Sequence, residues 1–304
     1  MRAFFIALSE NKRLRHLSEE SSLGRKLSSR FVAGMSVEDC LRATAQVNAL
    51  GMSVSVDNLG ENVTNAEEAR SSAELYRQML DEISRRKLDA NVSLKLTHMG
   101  LDVDESLAFA ITTRLVQQAA AIHNFVRVDM EGSAYTGRTL DFVHALHRTG
   151  GNAGHVGAVI QAYMRRSQAD VEKLLAGRIR IRLCKGAYQE PPEIAFADKA
   201  ETDANYVRLM KMLLKSGVYH GIATHDDTMI AATRDFARAE SIPSSAFEFQ
   251  MLYGVRRDLQ QQLVKAGYRV RVYIPFGKEW YPYFMRRLAE RPANAMFVLK
   301  NLFR

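Results

Sequence analysis

Short runs rich in β-branched and aromatic residues alternate along this chain with longer stretches whose apolar positions recur at helical spacing. The short runs fall at 51–56 (GMSVSV), 92–96 (VSLKL), 125–130 (FVRVDM), 156–163 (VGAVIQAY), 179–183 (IRIRL), 221–225 (GIATH), 247–252 (FEFQML) and 269–276 (RVRVYIPF). Each has the length and composition of a strand. Helical periodicity fills 65–86, 105–123, 140–146, 169–175, 194–214, 228–239, 255–265 and 279–291. In 65–86, for example, Ala66, Ala69, Ala73, Tyr76, Met79, Leu80 and Ile83 share one face. Asn65, Asp104 and Asp226 stand where helix N-caps belong.

Strand–helix units repeated over about 250 residues predict an α/β fold, a closed parallel (β/α)₈ TIM barrel. An open doubly wound sheet is the alternative, but no GxGxxG turn follows the first strand. The nearest approach, Gly151-x-x-Gly154-x-x-Gly157, leads into a strand and reads as a loop. Residues 1–50 read as extra N-terminal helices (4–17, 23–32 and 37–50) that pack on the barrel wall or bottom. The expectation is one domain over 1–304, with 1–50 as N-terminal helices and 51–304 as the barrel and its closing helices. The final helix would lie over the C-terminal mouth.

Composition narrows the class. Apolar residues make up 47% of 304, enough for a large core, and 18 Gly with 6 Pro exclude a collagen-like or low-complexity chain. Cys40 and Cys184 are too few for a disulfide scaffold, lack metal-ligand spacing, and suggest a reducing cytosol. The eight His show no HExxH spacing, so no metal is expected, and no GxSxG elbow is present. The early apolar run 3–8 is too short for a signal core or a membrane span. The net charge of +8 is concentrated in 265–304, where nine Lys and Arg face only Glu279 and Glu290. Such an end attracts anionic lipid, nucleic acid or an anionic substrate. No nucleic-acid-binding signature accompanies it.

A barrel's active site lies at the C-terminal ends of its strands. The polar residues there are Asp57, Lys95, Asp129, Gln161, Arg182 with Lys185, Thr224 with His225, Gln250 and Tyr273. A lysine between Leu94 and Leu96 is costly unless paired, and Asp129 in the next strand is the expected partner. On the last helix Tyr283, Arg286, Arg287 and Glu290 share one face. Two arginines there suit bidentate recognition of a carboxylate, with Glu290 holding one of them.

These segments together resemble the proline dehydrogenases: the single-function bacterial enzymes and the equivalent barrel of the bifunctional proline utilisation A flavoenzymes. The resemblance rests on DNLGE (57–61), VSLKLTHMGL (92–101), RVDMEGS (127–133), IQAY (160–163) and RLCKGAY (182–188). It continues through ATHD (223–226), FEFQMLYGV (247–255) and YIPFGKEWYPYFMRRLAERPAN (273–294), in the family's order. It implies a distorted (β/α)₈ barrel that binds FAD non-covalently. L-proline would lose hydride from C5 to flavin N5, giving Δ1-pyrroline-5-carboxylate, the first step of proline catabolism to glutamate. Electrons would pass to a membrane quinone, from a cytoplasmic protein docking peripherally on the inner face of the cell membrane.

Carried over by position, Arg286, Arg287 and Lys95 would bind the proline carboxylate, and Glu290 would orient the arginines. Tyr188, Leu252 and Tyr273 would shape the ring pocket; the catalytic residues would be Asp129, paired with Lys95 near the substrate, and Arg182, near flavin N5. Met130, Gln161, Arg182, Cys184, Lys185, Gly186, Thr224 and His225 would contact FAD. Two residues depart from the family's usual pattern: Gln189 in place of Trp after KGAY, and Asp226 in place of Asn after ATH. Both bear on the outer part of the cofactor site. Two other readings exist. One is a Schiff-base aldolase using Lys95 or Lys185 on the same barrel. The other is a non-catalytic basic binding protein.

Overall fold

The alternation seen in the sequence closes into a ring. The computed structural model describes residues 21, 28–186, 188 and 190–290, with the side chains of 286 and 288–290 outside the description. After helix α1 (Val37–Asn48) come β1 (Ser53–Asn58), α2 (Ala66–Arg85), β2 (Ala90–Leu94), α3 (Glu105–Ala121), β3 (Val126–Val128) and α4 (Ser133–Arg148). Then follow β4 (Val156–Gln161), α5 (Ser167–Ala176), β5 (Arg180–Cys184), α6 (Lys199–Lys215), β6 (His220–Ala223), α7 (Asp227–Ala239), β7 (Phe247–Leu252), α8 (Arg257–Lys265), β8 (Arg269–Phe276) and α9 (Trp280–Glu290). The strands form a closed parallel barrel in chain order. β8 pairs back onto β1, with Val54 opposite Val272 and Val56 opposite Ile274. The fold is the expected distorted (β/α)₈ barrel.

Alternation along the strands sets the two faces. Val54, Val56, Val92, Leu94, Ile181, Leu183, Val270 and Ile274 are fully buried beneath the helices. The interleaved positions turn inward and are polar: Ser55 and Asp57, Asn91 and Ser93, Arg127, Arg182, Glu248 and Gln250, Arg271 and Tyr273. All but Arg271 and Tyr273, which are partly exposed, are buried. An ordinary barrel interior is filled by branched aliphatic side chains. Here charges fill it and bond one another, since a buried charge without a partner is expensive. Two glycines make room for them. A Cβ on Gly157 would stand 2.3 Å from Arg180 O and 2.7 Å from Arg127 Nη1, and one on Gly221 would stand 2.3 Å from Gln250 Nε2.

The three expected N-caps are in place. Asn65 accepts from Glu68 N–H, Asp104 from Ser106 and Leu107 N–H, and Asp226 from Thr228 N–H. Several helix starts differ from the sequence expectation, α5 beginning at Ser167 rather than 169 among them. α4 begins at Ser133 rather than 140, because its first two turns carry no apolar stripe. α6 begins at Lys199 rather than 194. Asp198 caps it, and the preceding stretch is held as a turn with Ala195 bridging to Met164. α8 begins at Arg257 rather than 255, because Gly254 and Arg256 adopt left-handed backbone. Of the N-terminal helices, 4–17 and the first half of 23–32 lie outside the described residues. The third, α1, carries a Ser36–Asp39 capping box. Before it Phe31 packs on Phe284 and Trp280 of α9, and Ala33 N–H donates to Pro275 O at 2.9 Å.

Two buried histidines give the fold a pH dependence. His220 accepts from Ile181 N–H at Nδ1 (3.0 Å) and meets Ser216 Oγ at Nε2 (2.9 Å), which fixes a neutral ring with its proton on Nε2. Burial pushes its pKa down to about 3. Burial, then the Lys95 charge, pushes His98 down to about 4. The unfolded chain takes up these protons near about pH 6.5, while the folded chain resists them. Their contribution is therefore complete above that pH and lost as pH falls toward the folded values. Unfolding free energies from urea titrations should fall by about 2 kcal/mol for each histidine between pH 7 and 5, the slope approaching about 1.4 kcal/mol per pH unit only below pH 6. His220→Gln should show the shallower slope; equal slopes would refute the assignment.

Candidate active site

Arg182 organises the C-terminal half of the barrel. Its Nε donates to Gln250 Oε1 (2.5 Å) and its Nη2 to Ser55 Oγ (3.0 Å). Nη1 donates to Asp129 Oδ1 (2.8 Å) and Ser93 Oγ (3.1 Å). Its Cζ lies 5.3 Å from the centre of the Tyr273 ring. A β5 side chain is thus held by β1, β2, β7, β8 and the residue after β3. Such a bonded fork is rigid, because four of its five donor directions are already spent.

This arrangement corrects the expected Lys95–Asp129 pair. Lys95 Nζ stands 3.7 Å from Asp57 Oδ2, and Asp129 is taken by Arg182. Strand register does set Lys95 beside Asp129, one step past the Leu94–Val128 pair. However, the planar guanidinium crossing the barrel fits that carboxylate better than a flexible ammonium does. Asp57 is fully buried, receives Tyr76 OH (3.0 Å) at Oδ1, and is also bonded by Tyr273 OH. Burial raises its pKa, Lys95 opposes that, and Asp129 adds to it. Asp57 and Gln250, expected at the strand ends, belong to this network together with Ser55 and Ser93, for which the sequence reading had no role. Their signal was polar residues at alternate positions inside strands.

Above the network a cavity of about 480 Å³ opens at the C-terminal mouth. Lys95, Asp129, Tyr188, Leu252, Tyr273 and Arg287 line it, all expected there. So do Met130, Gln161, Arg182, Cys184, Lys185, Gly186, Thr224 and His225. Arg287 is buried on α9, with its Cζ 5.0 Å from the Tyr283 ring centre, and Tyr283 lines the cavity one turn earlier. The side chains of Arg286 and Glu290, and residue Gln189, lie outside the described residues.

The strip beneath β4–β6 is equally fixed. Gln161 Nε2 donates to Met130 O (3.1 Å) and Glu131 O (3.2 Å). His225 Nε2 accepts from Leu252 N–H (2.8 Å), which leaves the ring proton on Nδ1. Lys185 pairs with Asp226 (2.8 Å) and with Asp203. Asp226 is therefore both the α7 cap and a lysine partner. Burial would raise its pKa, but Lys185 and the Thr228 N–H hold it below the usual value. Gly186, at φ 127°, turns the chain where a Cβ would stand 2.3 Å from the Tyr163 ring.

A polar-cored (β/α)₈ barrel with a ligand-sized cavity at its C-terminal mouth has the architecture of a small-molecule enzyme. The family model described as proline dehydrogenase matches residues 40–300. Proline dehydrogenase 1 of Bacillus subtilis (strain 168) is 40% identical over 305 residues, covering 100% of this chain and 99% of that protein. The proline dehydrogenase of Deinococcus radiodurans is 40% identical over 281 residues, covering 91% of this chain and 90% of that protein. The crystal structure of proline utilization A from Bdellovibrio bacteriovorus inactivated by N-propargylglycine superposes with a TM-score of 0.83 at 27% identity. That match covers 88% of this chain, which spans only 33% of the larger protein. The chain belongs to the proline dehydrogenase family, and it is an enzyme of proline oxidation.

Proposed function

We propose that the chain oxidises L-proline to Δ1-pyrroline-5-carboxylate as the first step of proline catabolism, with non-covalently bound FAD accepting the hydride at N5 and a membrane quinone receiving the electrons. The observation that carries this reading is the shared cavity. It brings the residues expected for a carboxylate and an apolar ring together with those expected for a flavin.

The donor set suits FAD. The strip offers the Arg182 guanidinium, the Thr224 hydroxyl, the Lys185 ammonium and the glycine backbone at 186, beside the apolar walls of Met130 and Val159. The volume falls within the usual range for ligand pockets, about 300–1,000 Å³. Asp226 and Asp203 already hold Lys185, so a phosphate group would share that lysine with two carboxylates.

The protein residues then have defined tasks. Arg287 and Lys95, with Arg286, receive the planar carboxylate. Tyr188, Leu252 and Tyr273 hold the ring, so that C5 keeps one orientation and water is excluded. Proline loses hydride from C5 and a proton from nitrogen, and a C5–N double bond forms. The cations around the carboxylate ease loss of the ammonium proton. Asp129 and Arg182, locked to each other, keep the charge beside the reacting centre fixed. Exposed Lys278, just after β8 at the mouth, supplies positive charge toward an anionic bilayer surface, whereas Lys265 and Arg269 lie at the opposite end of the barrel. Arg271 does not contribute there, because it is inside the barrel. Among the described residues no helix is long and apolar enough to cross a membrane.

An absorbance spectrum of the purified protein tests the reading. Flavin bands at about 380 and 450 nm that bleach on anaerobic addition of L-proline are expected. Unbleached bands would remove proline as the substrate. A protein without bands, even after addition of FAD, would remove the flavin.

A further inference from the structure

A second cavity, of about 230 Å³, occupies the opposite, N-terminal end of the barrel. It opens among the loops that precede β2, β3, β4 and β6, where His123 and Gly154 are exposed. Arg182 and Gln250 line both cavities, so this one lies directly beneath the layer that floors the candidate active site.

Its charge is unbalanced. Arg127, Arg180, Arg182 and Arg271 line it against Asp89 and Glu248. Asp129 offsets Arg182 from above, and Glu248 is bound to Arg271 at 2.8 Å. Arg127 is 5% exposed, and its Nη1 bonds only backbone, Ala158 O (2.9 Å) and Arg180 O (2.7 Å). Its Nε is buried and meets no acceptor. The Arg127 and Arg180 Cζ atoms lie 4.6 and 5.2 Å from the centre of the same Phe125 ring, which also lines the cavity. Among the described residues no carboxylate is within 4.0 Å of either guanidinium. Burial, then the Arg182 charge, pushes the Arg127 pKa well down. An arginine nevertheless keeps its proton, so the wall carries positive charge that Glu248 and Asp129 offset only from a distance.

We propose that this basal cavity binds a small oxyanion, a phosphate or carboxylate group, against the Arg127 and Arg180 guanidinium groups that line it. The space admits such a group and the walls offer the donors it needs. The cavity is far too small for a dinucleotide. This site is independent of the reading given above for the mouth.

Thermal denaturation of the full-length protein as purified tests it, with sodium phosphate or sodium acetate compared against sodium chloride at equal ionic strength. A ligand that binds only the folded state raises Tm. The mouth cavity also attracts anions, so the titration is repeated in Lys95→Met and in Arg127→Met. The expected result is an anion-specific rise of a few degrees that survives in Lys95→Met and falls by more than half in Arg127→Met. If Arg127→Met does not fold, Arg180→Gln at the half-buried rim replaces it, with an expected tenfold weaker response. A larger response to phosphate or to acetate identifies which group the site prefers. Crystals soaked in selenate should show an anomalous peak beside Arg127. The proposal is overturned if neither anion exceeds chloride, if the basal variants respond like wild type, or if the selenate peak appears at the mouth alone.

Discussion

Arg287→Met is expected to lower kcat/KM for L-proline by about 10²–10³-fold, with most of the loss in KM. Arg287 is buried and faces the mouth cavity beside Tyr283, so a carboxylate meeting it is stripped of water. Truncating one partner of a desolvated, charge-assisted pair costs about 2–5 kcal/mol, which brackets that loss at 1.4 kcal/mol per tenfold. The carboxylate is not the reacting group, so the contact is nearly equal in ground and transition states and its loss appears chiefly as KM. Arg287→Lys keeps the charge but loses the planar fork, and should recover only part of the activity. Flavin content should be the same in all three proteins, because Arg287 is assigned to substrate. Steady-state kinetics with flavin-normalised enzyme decides the matter. A change below about threefold would remove Arg287 from the substrate site.

How much of this was legible depends on how local the signal is. Strands β7 and β8 match the sequence expectation to the residue, and the other six match within a few residues. A strand's period and its turn residues are written in its own segment. Caps at Asn65, Asp104 and Asp226 were legible for the same reason. The start of α4 was not, since only tertiary packing makes SAYTGRT helical.

Charge partners were the least legible feature. Sequence neighbours favoured Lys95 with Asp129, but the partner of Asp129 comes from β5, 53 residues away across the barrel. Arg271 counted toward a basic surface, yet RVRVYI alternates, and Arg271 and Tyr273 face inward once the ring closes. A polar residue at every second position of a strand flanked by helices should be assigned to the barrel interior first.

That interior sets the largest stability effect. Glu248→Leu is expected to cost about 3–5 kcal/mol, a large share of an ordinary domain's about 5–15 kcal/mol. Glu248 accepts from Arg271 Nε (2.8 Å), Gln250 Nε2 (2.6 Å) and Tyr219 OH (3.0 Å). Burial would raise its pKa, but Arg271 and these hydrogen bonds hold it below the usual carboxylate value. Leucine removes all three acceptor contacts at once. Arg271 keeps Val54 O (2.7 Å) and Asn91 Oδ1 (3.0 Å) but loses its counter-charge. The urea midpoint should fall with little change in slope. Activity of the folded variant should fall as well, because Gln250 loses the acceptor that fixes it under Arg182 Nε. The double variant Glu248→Leu/Arg271→Met should regain most of the stability, since apolar residues replace a buried ion pair at little cost while half of one is left unpaired. It should not regain the activity, because Gln250 still lacks its acceptor. A single variant within about 0.5 kcal/mol of wild type would mean that Asp89, the other acid lining the basal cavity, already balances Arg271. Recovery of stability without activity would separate the two roles of Glu248: neutralising the base of the barrel and positioning the arginine beneath the substrate.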